Sequence, residues 1–481
     1  MFVAGCATHS DTAVLPQIDV PTAWREPAVV DRDAPPPSTR WWTLLASPQL
    51  DRLLDAAVRS APDLRTAQSR LLEARARRAL AGAGTAPRID ASASAGRSRT
   101  SPATTSVALT RNLFDAGFDA SWEIDLFGRL RAGVDAADAD LGAARASLRD
   151  TLVSLRAEVA RNYLELRGLQ QRLAIARDNL AIQSETLNIA SWRVQAGLAG
   201  ELDSEQALTN REQTRAQVFV LQSGVEQSRQ RLELLLGLAP GALVAELALP
   251  GRPTLPDLPV LPALSIPADV LRQRADLRAA GLQWLAESAR TAQARASLYP
   301  RLTLSGSIGL QALTLGTLKD GTAASLLAGL TAPVFDAGRL RAQLAAQTAV
   351  QQRLAVGYEQ AVLTALHDVE TSLVALAGSR LQAAALAIAA NAARRAARLA
   401  RTNYEGGQID FRSVLDAERS LLVVEDSLAT ALTDALRAWA SLYKALGGGA
   451  PLDAADVDAL AGDAGDAGAT GTTGTTGGAS R

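Results

Sequence analysis

Apolar residues recur at steps of three and four through the middle of the chain: Leu152, Leu155, Val159, Tyr163, Leu166, Leu169, Leu173, Ala176 and Leu180. That spacing lines one seam of an α-helix, close to a coiled-coil repeat. It predicts a helix from about Arg131 to Gln195, about 95 Å long at 1.5 Å per residue. "AGLAGE" then turns the chain, and a second helix returns over Leu202–Leu236. A further helical run is predicted over Pro48–Ala83. No compact globular domain needs helices of such length; they suit a rod or a tube.

Elsewhere the period changes from helical to two. In "FDAGFDASWEID", Phe114, Ala116, Phe118, Ala120, Trp122 and Ile124 fall on one face of a strand. Asp115, Gly117, Asp119, Ser121, Glu123 and Asp125 fall on the other. "RLTLSGSIGLQ" repeats the pattern, with Leu302, Leu304, Ile308 and Leu310 against Thr303, Ser305, Ser307 and Gln311. "RIDASASAG" and "SLLAGLTAPVF" are weaker versions, which makes four strands. The patterning fits soluble hairpins packed on a core. It also fits strands that face lipid on one side and water on the other. Four strands cannot close a barrel, and an open edge cannot sit in hydrocarbon, so the membrane reading requires several chains to share one barrel.

The chain also repeats itself. "GRLRA" stands at 128–132 and again at 338–342, 210 residues later. Gly197 and Gly407, Ala207 and Ala417, and Gly237 and Gly447 keep that offset. Upstream the offset is 213, pairing "DLRTA" at 63–67 with "DLRAA" at 276–280 and "PRI" at 87–89 with "PRL" at 300–302. Two copies of one unit follow. The second predicts a long helix over 339–404, a turn at "EGGQID" and a returning helix over 410–446.

Composition narrows the function classes. The net charge of −1 offers no basic surface for nucleic acid. One cysteine, Cys6, and two histidines, His9 and His367, leave little for disulfide or metal chemistry, and no metal site is expected. No phosphate loop, zinc signature or nucleophile constellation is present, so an enzyme is the least supported class. His367, in "LHDVE", reads as a helix-surface residue. No run of eighteen uninterrupted apolar residues occurs, which says nothing against a β-barrel.

Several stretches together resemble the outer membrane factor family, the TolC-, OprM- and NodT-like exit ducts of Gram-negative efflux and secretion systems. They are "RWWTLLASPQLDRLLDAAVRSAPDL", "ASWEIDLFGRLRAG", "VARNYLEL", "RVQAGLAGELDSEQA", "APVFDAGRLRA" and "NYEGGQIDFRSVLDAERSLL", spread over 40–450. The resemblance implies an α+β membrane protein acting as a homotrimer. Three chains of four strands would make a twelve-stranded outer-membrane β-barrel, continued by a periplasmic α-helical barrel. It implies passive conduction of drugs or other small toxic compounds, with a periplasmic adaptor and an inner-membrane pump (of the resistance-nodulation-division type) as partners and no cofactor. A type I secretion duct is the alternative within the family. A periplasmic coiled-coil adaptor or scaffold is the alternative outside it, and neither hairpin duplication nor amphipathic strands suit that class.

The resemblance further implies a gate at the hairpin turns. Carried over by motif, it comprises Asp416, Asp410, Tyr404, Phe411 and, from the first turn, Asp203 opposite Tyr404. Asp416 would form an acidic ring around the pore. Read from the residues alone, Asp203 and Asp410 fit N-caps of the returning helices, and Asp416 fits a solvated helix face. Ser413 and Gln408 stand where some family members carry an acidic and a basic residue. Gly197, Gly200, Gly406 and Gly407 mark the tips that would meet the adaptor, and the turn backbone needs glycine there in any case.

"VAGC" reads as a lipobox, with Cys6 expected to carry acyl chains that anchor the chain to the membrane. Only five residues precede Cys6, so a fuller signal peptide is expected upstream. The predicted organisation is a signal remnant over 1–5, an anchor and extended segment over 6–44, and a first repeat over 45–245. A Pro-rich linker follows over 246–266, then a second repeat over 267–450 and a low-complexity tail over 451–481.

Overall fold

A computed structural model describes residues 18–25, 40–100, 109–248, 251, 253–259 and 267–448. Cys6, His9, most of the N-terminal segment, Pro250, Pro262 and the tail lie outside the described residues.

The two long helices are α3, Arg129–Gln195, and α8, Arg339–Glu405, each of 67 residues. Each spans about 100 Å. They return as α4, Glu201–Leu236, and α9, Phe411–Ala445. Starts and ends keep the 210-residue offset read from the sequence, to within a residue. Gly128, Gly197 and Gly237, with their counterparts Gly338, Gly407 and Gly447, all have φ between 70° and 88°. This is the left-handed region where a Cβ is unfavourable, which explains why glycine recurs at both members of each pair.

The run expected as one helix over 48–83 is two: α1, Pro48–Ser60, and α2, Pro62–Ala83. Pro62 pushes its predecessor out of the α region, and Ala61 sits at ψ 126°. The second repeat breaks at the corresponding place, between α6, Pro267–Gln273, and α7, Ala275–Ala296, without a proline. A short helix, α5, Val244–Leu247, follows α4. Part of α8 is apolar enough to cross a membrane by length and composition, with mean hydropathy 1.6 over its best window. Alanine supplies much of that value.

Two compact units result, each drawing on both repeats. One takes in residues 70–146 and 278–360, and the other 40–69, 147–277 and 361–448. In the second unit Trp41 is buried, stacked on Tyr443 with ring centroids 5.2 Å apart and edge-on to Trp439 at 5.4 Å. This aromatic cluster ties the "RWW" segment to the end of α9.

The first unit holds a four-stranded antiparallel sheet in the order β1-β2-β3-β4. Its strands are β1, Arg88–Thr100; β2, Leu109–Ile124; β3, Arg301–Ala312; and β4, Thr322–Thr331. The fourth strand stops before Val334 and Phe335, which the alternation had included; Pro333 has no N–H to give a ladder. The register aligns like with like. Ala91, Phe118, Ile308 and Ala324 sit at one level, and Ile89, Ala120, Gly306 and Leu326 at another. On the opposite face Asp90, Asp119, Ser307 and Ser325 share a level, and the Ser92 hydroxyl donates to Asp119 at 2.8 Å. Leu113 and Leu327 interrupt this polar face. Ile89, Phe118, Ile308, Leu326 and Leu330 are each more than half exposed. The apolar face thus has no cover, and β1 and β4 each pair on one side only among the described residues.

Candidate functional site

The two hairpin turns join α3 to α4 and α8 to α9, and both turns lie within the second unit. Both end their first helix the same way. Leu198 N–H donates to Arg193 O at 2.8 Å and Gly197 N–H to Val194 O at 2.9 Å. Gln408 N–H donates to Asn403 O at 2.8 Å and Gly407 N–H to Tyr404 O at 3.0 Å. This is the Schellman pattern, with glycine at its left-handed position. Gly197 and Gly407 meet no atom that a Cβ would touch, so φ alone selects glycine. Gly200 is different: its φ is −82°, and it serves as N-cap of α4. Gly406 shows no left-handed φ either and precedes Gly407 at the helix end.

The returning helices start with different chemistry. Asp410 is the N-cap of α9, its carboxylate accepting from Ser413 N–H at 3.0 Å and from the Ser413 hydroxyl. Those bonds hold its pKa below the usual carboxylate value. Asp203 is not a cap: at offset 210 the counterpart of Asp410 is Gly200, and Asp203 stands in the first turn of α4. There its charge suits the helix dipole.

Tyr404 and Phe411 are buried against each other, ring centroids 5.2 Å apart, in a cluster with Ala190, Ala207, Val414 and Leu415. The Arg193 guanidinium lies 4.7 Å from the Tyr404 ring centroid. Burial raises the Tyr404 pKa, Arg193 opposes the rise, and the charge of Asp203 adds to it. The structure therefore brings Tyr404, Phe411 and Asp203 together, and Arg193 joins them. Asp416 stands apart, on the exposed face of α9, with Arg412 at 3.9 Å one turn earlier.

Several polar ties join the helices, some near the turns and one farther along, most of which local sequence patterns do not announce. Arg401 of α8 pairs with Glu185 of α3 at 2.7 Å. The Arg419 guanidinium donates to Asn210 at 3.3 Å and to Gln213 at 3.2 Å. Arg172 forks onto Asp426 at 2.7 and 2.9 Å. Thr186 donates to the buried Glu418 at 2.7 Å. The last was detectable, because Glu418 interrupts the apolar series Phe411, Leu415, Leu422 at helical spacing.

The tips share a backbone and differ in surface. Trp192, Leu198 and Leu202 are exposed at the first turn, where the second has Thr402, Gln408 and Arg412 at the matching positions. His367 is exposed on α8. No group of three or more metal-binding side chains converges among the described residues.

A family model described as outer membrane efflux protein matches residues 53–238 and 266–448. The pyoverdine export outer membrane protein OpmQ of Pseudomonas putida is 33% identical over 436 residues, covering 89% of this chain and 92% of its own length. Outer membrane protein OprJ of Pseudomonas aeruginosa is 31% identical, covering 92% of this chain and 93% of its own. The solved structure of the outer-membrane channel OprN superposes with a TM-score of 0.83 at 33% identity, covering 91% of this chain and 99% of that one. The matched segments take in both repeats, the sheet, the long helices and both turns, and on that breadth the chain belongs to the outer membrane efflux protein family.

Proposed function

We propose that the chain is one of three identical subunits of a passive exit duct that carries drugs or other small toxic compounds out of the cell. Membership of the efflux family places the protein in the outer membrane of a Gram-negative cell, reaching into the periplasm. The observation that carries the proposal is the sheet: one mainly apolar face, one mainly polar face and two edges unpaired among the described residues. In β2 the apolar set runs from Phe114 to Ile124, eleven residues. A tilted membrane strand needs about 9–11. Trp122, Phe127 and Tyr299 gather at one end of the sheet, where barrels carry their aromatic girdles. Pairing β4 of one chain with β1 of the next satisfies both edges, and three copies close twelve strands.

The turns form the closed gate. Tyr404, Phe411, Arg193 and Asp203 lock the seam, and Asp416, exposed on α9, supplies a ring of carboxylates around the axis. The exposed tips at Gly197, Gly200, Gly406 and Gly407 receive a periplasmic adaptor coupled to an inner-membrane pump. Cys6, outside the described residues, carries the lipid anchor. Energy and cargo selection come from the partners, and the duct itself catalyses nothing.

Dye accumulation in a strain deleted for the gene tests this reading. Restoring the chain is expected to lower accumulation of an amphiphilic cationic dye to the parental level. Equal accumulation with the chain and with an empty vector would contradict it.

A further inference from the structure

The seam between α3 and α9 is apolar at both ends and polar in between. Near the turns Ala190 packs with Phe411 and Leu415. Farther along, Ile175 packs with Leu422 and Ala429. Between these clusters α3 contributes Asn179, Gln183 and Thr186 and α9 contributes Glu418, none more than 5% exposed. The α3 members follow at three- and four-residue steps and so share one stripe. The Thr186 hydroxyl donates to Glu418 Oε1 at 2.7 Å. Glu418 Oε2 and Gln183 Oε1 have no hydrogen-bond partner among the described residues. A leucine at 418 would extend the stripe of Leu415 and Leu422 with no charge to desolvate. For a seam that only has to stay shut, a carboxyl group is the costlier choice.

We infer that Glu418 is a positioning residue of the gate: neutral and bonded to Thr186, it holds α9 against α3, and its ionisation releases the turns. The inference rests on the gate reading proposed above. The charged groups acting on Glu418 are Arg401 on α8 and Glu185 on α3, which are paired with each other; Arg401 also pairs with Glu405 at 3.3 Å. The hydrogen bond from Thr186 and, after it, the charge of Arg401 draw the Glu418 pKa down, and Glu185 pushes it up. Burial is the largest influence and raises it above the ordinary value. The sign follows from linkage. The closed seam binds the proton more tightly than an open, hydrated one, so closure is favoured below the raised pKa and lost as pH rises through it. Opening releases one proton per subunit to water.

The test compares the native chain with Glu418→Gln, so that any pH dependence that belongs to Glu418 is read as the difference between the two. Open probability in planar bilayers is read against pH. With Glu418 the open fraction is expected to rise with pH, by up to about tenfold per pH unit for each subunit whose seam must open. Glu418→Gln, an isosteric neutral side chain, is expected to stay closed with a flat profile. Infrared spectra of the purified protein add a readout independent of conduction: a protonated-carboxyl band that disappears over the same pH range and is missing in Glu418→Gln. A rising profile retained by Glu418→Gln, or no such band in the native chain, overturns the latch. If Asp416→Ala also leaves conductance unchanged, the gate reading falls with it; if Asp416→Ala opens the pore, only the latch falls.

Discussion

At the scale of single residues, close approach and conformation decide more than chemistry. Gly168 of α3 faces α9 so closely that a Cβ there would overlap the Thr433 hydroxyl. Thr433 cannot swing away freely, because it is buried and donates to Ala429 O at 2.7 Å. Gly168→Ala is therefore expected to destabilise the folded chain by about 1–3 kcal/mol, the usual cost of overpacking. Thermal unfolding followed by circular dichroism checks it, and Thr433→Ala in the same chain is expected to recover part of the loss. A full recovery of the native midpoint by Gly168→Ala alone would show that the helices are not held this closely. Glycine at 197 and 407 has the opposite reason, since there the space is open and only φ is constrained. Asp410 shows a third case: its capping bonds to Ser413 account for its place in the sequence whether or not it also faces a pore.

At the scale of elements, the sheet presents the apolar face that membrane insertion requires. Phe118 lies mid-strand on the apolar face, next to Ile308 and Ala91. Phe118→Arg is expected to cost about 2–4 kcal/mol if that face meets hydrocarbon at the midplane. Reduced yield in the outer-membrane fraction, with Asp119→Asn on the other face unaffected, is the outcome that supports it; equal yields would point to a water-facing sheet. The sheet, the long helices and their duplication were legible because each rests on local periodicity, at two residues for strands and 3.6 for helices. The break at Ala61 was legible in principle from Pro62, whereas the break at Arg274 was not. Arg274 there bonds its near neighbour Asp276 and two partners remote in sequence, Asp368 and Ala445 O. The candidate site divides the same way. Turn glycines and the Asp410 cap follow local rules. The Arg193–Tyr404 contact and the Thr186–Glu418 bond depend on which helices become neighbours, and no short window of sequence contains that.

At the scale of the whole molecule, the proposed duct needs both a sheet that other copies complete and turns that open and close. Neither half explains the other alone. A sheet with two free edges is unstable in lipid until other copies complete it. A path through it serves no purpose unless the turns can be shut between transport events. Conductance of the purified protein in planar bilayers tests both together. The account predicts small, uniform steps for the native chain and larger or longer openings for Asp416→Ala, alone or combined with Tyr404→Phe. Protein that inserts no conducting unit, or whose conductance is the same with and without the Asp416 carboxylate, would contradict it.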